Sequence, residues 1–155
     1  MRSVRGVLAA GLTVFGTTRP GVSFAIPIAE KVSLHFGIDV ALSRREEPLG
    51  PSSYAFVEAR AGARHSFGAD AFSGFFAGAD LALSLRGVES VVSSSTWGFG
   101  FGLIPHGGYA VHWSNRLYAE ASLGLALGVE RNITANRVFA LSADISAGAA
   151  IGVTF

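Results

Sequence analysis

The sequence predicts an all-β fold: an eight-stranded, antiparallel, up-and-down transmembrane β-barrel with a lipid-facing apolar exterior and a polar, packed lumen. Three observations lead there. Apolar residues alternate with small or polar ones at a period of two along most of the chain. Short and long connectors alternate between these stretches, as tight turns and longer loops do in outer-membrane barrels. The composition is also short of charge. Half of the 155 residues are hydrophobic and 15% are charged, against about 25% in an ordinary soluble domain. Mean hydropathy is +0.44.

The elements follow in order. "MRSVRGVLAAGLTVFG" places Arg2 and Arg5 before a short apolar run, in the manner of a secretory signal. Strand number arbitrates. With a first strand at 6–17 the total is eight; without it seven remain, an odd number that bacterial single-chain barrels avoid. No Ala-x-Ala cleavage site follows. A strand is therefore expected at 6–17, with any signal peptide upstream of Met1; a retained signal over residues 1–20 is the alternative. "TTRP" (17–20) then reads as a connector and 21–28 as the second strand. In the third, 32–43, Val32, Leu34, Phe36, Ile38, Val40 and Leu42 oppose Ser33, His35, Gly37, Asp39, Ala41 and Ser43. Its length, roughly twelve residues, is twice that of an average soluble strand and suits a membrane crossing.

The pattern repeats at 54–66, 72–87, 96–114, 117–130 and 137–155, so that residues 1–155 read as one barrel domain. Short turns fall at 29–31, 68–72 and 114–116. Longer links fall at 44–53, 88–96 and 131–137. The longest stretch without Asp, Glu, Lys or Arg, Ser90 to Asn115, is interrupted by serines, glycines, Pro105, His106 and His112, so it is no spanning helix.

A soluble lipocalin-like barrel would turn the apolar face inward. The inverted arrangement accounts better for this chain. The polar face is built mostly of glycine and serine, and Lys31 is the only lysine against eleven arginines. Trp97 and Phe99 stand at one end of their strand and Tyr109 and Trp113 at the other, all on the apolar face. That spacing predicts aromatic girdles at the two membrane interfaces.

Over essentially its whole length, including the terminal "AIGVTF", the chain resembles the small eight-stranded outer-membrane β-barrels of Gram-negative bacteria, the OmpA/OmpX-like superfamily. The resemblance implies an integral place in the bacterial outer membrane, in contact with the lipid bilayer and lipopolysaccharide. Members end on an aromatic residue after alternating apolar positions. Ile151, Val153 and Phe155 would then be the signal read by the barrel assembly machinery, with periplasmic chaperones escorting the chain.

Several residues carry candidate chemistry. Asp39, Glu58, Arg60, Arg64, Asp80, Arg86, Glu120, Glu130 and Asp144 are expected inside, with His35, His106 and His112. An eight-stranded interior is only wide enough to be filled by side chains. A network of mutually satisfied charges is therefore expected, because a lone buried charge is costly; a narrow solute path is the alternative. "HWSN" (112–115) is similar to the His-x-Ser-Asn segment of the outer-membrane lipid A deacylases. That likeness would make His112 the base, Ser114 the nucleophile and Glu120 the orienting acid. Against it, His112 and Ser114 fall on the lumen side beside a short turn, so no catalysis is expected. Arg44, Arg45, Arg131 and Arg137, with Arg19 nearby, gather at the presumed outer rim, where they can pair with lipopolysaccharide phosphates or simply offset Glu46 and Glu47.

Other classes are excluded or disfavoured. There is no cysteine, so no disulfide, thiol or thiolate chemistry is possible. His35, His65, His106 and His112 lack ligand spacing, and no metal is expected. The glycine runs "WGFGFG" and "LGLALGVE" are not phosphate loops, and no cofactor is expected. A net charge of +1 with no basic stripe argues against nucleic-acid binding.

Overall fold

The structure, a computed structural model, describes residues 6–15, 17–47, 50–90, 96–113, 116–132 and 140–155. Eight strands follow one another: β1 (Val7–Phe15), β2 (Thr17–Ala29), β3 (Val32–Glu47), β4 (Gly50–Ser66), β5 (Gly74–Ser90), β6 (Thr96–Trp113), β7 (Leu117–Asn132) and β8 (Ala140–Thr154). Each pairs antiparallel with the next, and β8 returns to β1 to close a barrel. Paired backbone bonds between Gly6 and Phe155, 3.1 Å each, fasten this seam at one end. Closure leaves no unpaired edge, which a lipid environment would not tolerate.

Alternation fixes the two faces. Between Arg44, Glu89 and Arg131 at one end and His65 at the other, every described outward strand position is apolar, small or uncharged. The row Phe24, Phe36, Ala61, Leu81, Leu103 crosses five strands in register. All four girdle residues are exposed on this outer face. From Trp97 to Tyr109 the outer face spans about 30 Å of barrel height, taking ~3.3 Å per residue and ~40° of tilt. That matches an apolar band about 25 Å tall between its interfaces.

Several boundaries differ from the sequence reading. "TTRP" is strand and not connector: Thr18 pairs with Val14 and Pro20 with Leu12, because β1 needs a partner along its whole length. The expected long link at 44–53 is mostly hairpin, with Glu46 opposite Pro51 and Glu47 opposite Gly50. Beyond the apolar belt side chains need no burial, yet the backbone still gains from its ladder. β5 likewise runs on to Ser90, but begins at Gly74 and not at 72. Gly74 takes a φ of +83°, a left-handed conformation that interrupts an extended chain and favours glycine. Residues 67–73 therefore form a loop, longer than the tight turn expected there.

The lumen is narrow enough that some strands approach without room for a side chain. A Cβ on Gly62 would run into the Ala79 carbonyl and the Asp80 carboxylate, whereas on Gly37 its nearest neighbour would be the Val22 carbonyl at 3.6 Å. G62A is expected to destabilise the barrel by about 1–3 kcal/mol through overpacking, and G37A to be close to neutral. Urea unfolding of the two variants side by side checks this.

Candidate functional site: the charged lumen

The inward faces of the strands bring the predicted charges into one column. Arg64 on β4 reaches across to β7. It bonds Glu120 at 2.6 Å, the Tyr118 hydroxyl at 2.8 Å and Ser33 Oγ at 3.1 Å. Tyr118 also donates to Glu120, which closes a triangle. The guanidinium lies 4.9 Å from the Phe76 ring centroid, adding an aromatic wall to its charged partners.

Further along the lumen, Arg60 binds Asp39 at 2.5 Å and stands 3.8 Å from Glu58. Arg19 lies 3.8 Å from the other Glu58 oxygen and stacks over the Phe56 ring at 3.8 Å. Its place is thus a correction: Arg19 is buried inside the barrel, not at the rim, because "TTRP" belongs to β2. Between these two groups, Asp80 is flanked by His35 at 3.4 Å and His106 at 3.8 Å. His106 Nδ1 is also 3.1 Å from the Ile104 carbonyl. Arg86 and Glu130 pair at 2.6 Å nearer the end away from the termini. That pair is more than a third exposed and so contributes little to stability. Asp144 borders the same region near Ser142, exposed and without an ion-pair partner among the described residues.

The described members of the candidate hydrolase group have other partners. Glu120 is committed to Arg64 and Tyr118, while His112 meets Asp70 at 3.4 Å. Ser114 lies outside the described residues, as does Arg137. Arg44 is exposed on the outer face of β3 and Arg131 on that of β7, and Arg45 follows Arg44 on the same ladder. His65 points outward against Phe67, away from the other histidines. Among the described residues no group of three or more His, Cys, Asp or Glu is arranged to hold a metal.

Sequence reasoning overlooked the inward aromatics. Phe56, Phe76 and Tyr118 share strand parity with Glu58, Asp80 and Glu120, so the signal was present.

Fold and lumen together define an eight-stranded barrel of the outer-membrane type, apolar outside and ion-paired within. No family model matches the chain, and no curated protein matches it significantly. Solved structures do. Neisserial surface protein A superposes with a TM-score of 0.60 at 16% identity, covering 97% of this chain and 94% of that one. The attachment invasion locus protein Ail of Yersinia pestis, solved with the heparin analogue sucrose octasulfate, gives a TM-score of 0.56 at 8% identity over 97% and 95%. The N-terminal β-barrel domain of Pseudomonas aeruginosa OprF matches with a TM-score of 0.47, 15% identity and coverage of 99% and 100%. The first two likenesses establish the shared fold.

Proposed function

We propose that this chain is an integral outer-membrane barrel with a structural or surface-interaction role and no catalytic activity. One observation supports this above the rest: the described outer face is free of charge between its two rims. On a water-facing surface that distribution would be an aggregation hazard, and in lipid it is the requirement. The ion-paired lumen supports a barrel that conducts little, since an eight-stranded interior is filled by its own side chains.

In this reading the end bearing the chain termini faces the periplasm and the opposite rim faces outward. Arg44 and Arg131, with Arg45 and Arg137 in the same part of the sequence, would then meet lipopolysaccharide phosphates. The outward Ile151, Val153 and Phe155 of the closing strand would be the segment that the assembly machinery and its chaperones read. A gel run on detergent-extracted protein with and without boiling tests the barrel: the folded form should migrate differently from the boiled one. Identical migration would remove the basis for membrane insertion.

A further inference from the structure

At the end bearing the termini, a loop packs into the lumen against buried side chains of the strands. Residues 67–73 leave β4 and fold back inward, so that Ala71 and Phe72 are 3% and 2% exposed while Phe67, at the loop's start, is 65% exposed. Phe72 joins a cluster with Val7, Ala9, Ala25, Phe76 and Tyr118, drawn from β1, β2, β5 and β7. The loop is otherwise bonded largely to itself and to its own hairpin. Phe72 N–H donates to Asp70 Oδ1 at 2.8 Å and Gly68 N–H to Ser66 Oγ at 3.2 Å, while the Ser66 hydroxyl donates to the Ser73 carbonyl. Its polar tie to the adjacent strand β6 is the Asp70–His112 contact at 3.4 Å, both side chains partly open to solvent.

Deeper in the lumen is a chamber of about 60 Å³ whose walls include His35, Asp39, Arg60, Asp80 and His106. Buried Asp80 Oδ1 has no hydrogen-bond partner there among the described residues. A polar space of that size holds water, whose share of liquid volume is about 30 Å³ per molecule.

We propose that residues 67–73 are a removable stopper, seated by Phe72 and latched by Asp70 on His112, which seals a hydrated, charged chamber from the periplasmic side. A unit bonded internally can leave as one piece, and the left-handed Gly74 supplies its hinge. What holds it is the burial of Phe72 and the small Ala71, the Arg64 guanidinium 5.8 Å from the Phe72 ring centroid, and one partly exposed Asp70–His112 contact. Burial of a single Phe favours the seated form by tens- to hundreds-fold, few enough that the withdrawn form is regularly visited. The proposal rests on the membrane-barrel reading, in which the lumen lies between two compartments.

The absence of cysteine allows a direct test. Ala110 is 2% exposed within the same cluster, so A110C reports access past the stopper, and F67C reports the open surface. The probe is a small anionic methanethiosulfonate applied to the folded protein. A110C should react at least about tenfold more slowly than F67C, and adding F72S or D70A should raise its rate by about tenfold with F67C unchanged. Should F72S abolish the heat-dependent gel shift, F72L carries the test. The stopper is overturned if A110C already reacts as fast as F67C, or if the Phe72 variants leave its rate unchanged. If only D70A has no effect, the seat stands and the latch is overturned. Loss of the gel shift in the unmutated chain would instead refute the barrel reading.

Discussion

Replacing Arg64 with methionine is expected to destabilise the barrel by roughly 3–5 kcal/mol, the cost of stranding one partner of a buried ion pair. Arg64 is the hub of the lumen, touching β3, β5 and β7 through Ser33, Phe76, Tyr118 and Glu120. Methionine keeps the packing volume but leaves the Glu120 charge with the Tyr118 hydroxyl as its remaining partner. The double variant R64M/E120Q should therefore recover much of the loss, because a neutral amide no longer needs a cation. R86A is the contrast. Its pair with Glu130 is partly exposed, and its loss should stay within about 0–1 kcal/mol. Urea unfolding followed by tryptophan fluorescence, in detergent or in vesicles, reads all three. An R64M loss no greater than that of R86A would show that the central pair contributes nothing beyond a surface one.

How much of this was legible in the sequence depends on distance along the chain. Parity within a strand is a local property, so the outward series Leu34 to Leu42 and the inward Asp39, Glu58 and Asp80 could be assigned from spacing alone. Partner choice is not local. Arg64 and Glu120 lie on β4 and β7, which are not neighbours in the sheet, and meet only because closure brings opposite walls together. Arg19 was obscured by the proline beside it, which reads as a turn signal but here sits within a paired strand. Phe72 was misplaced for a related reason. "GADAF" reads as a tight turn with the strand resuming at 72, and among twenty glycines nothing in the sequence marks Gly74 as one that turns left-handed. The stopper therefore arises where local pattern and tertiary packing disagree, as such disagreements do at special sites. The outer-rim arginines were legible by position, whereas what they bind is set by a partner whose chemistry the chain does not encode locally.

The orientation of the two faces yields the second large effect. Leu81 pairs with Leu103 about midway between the Trp97 and Tyr109 levels, whereas Leu42 lies in the row that ends on Trp97 through Ala55 and Gly87. If the outer face is in lipid, L81R places a guanidinium near the bilayer midplane and should cost about 2–4 kcal/mol. L42R places the same group at the interface and should cost about 0–1 kcal/mol. A soluble barrel predicts the reverse of this gradient's logic: both leucines would face water, both substitutions would fall within about 0.5 kcal/mol, and both would improve solubility. Burial in the isolated chain cannot separate these readings, since both leucines are exposed in it; only the surrounding solvent does. Refolding the two variants into vesicles and measuring the difference between them, rather than either alone, cancels the shared cost of adding arginine. A depth-dependent difference of at least about 1.5 kcal/mol is the expected result. Equal values would mean that the apolar belt is not in hydrocarbon.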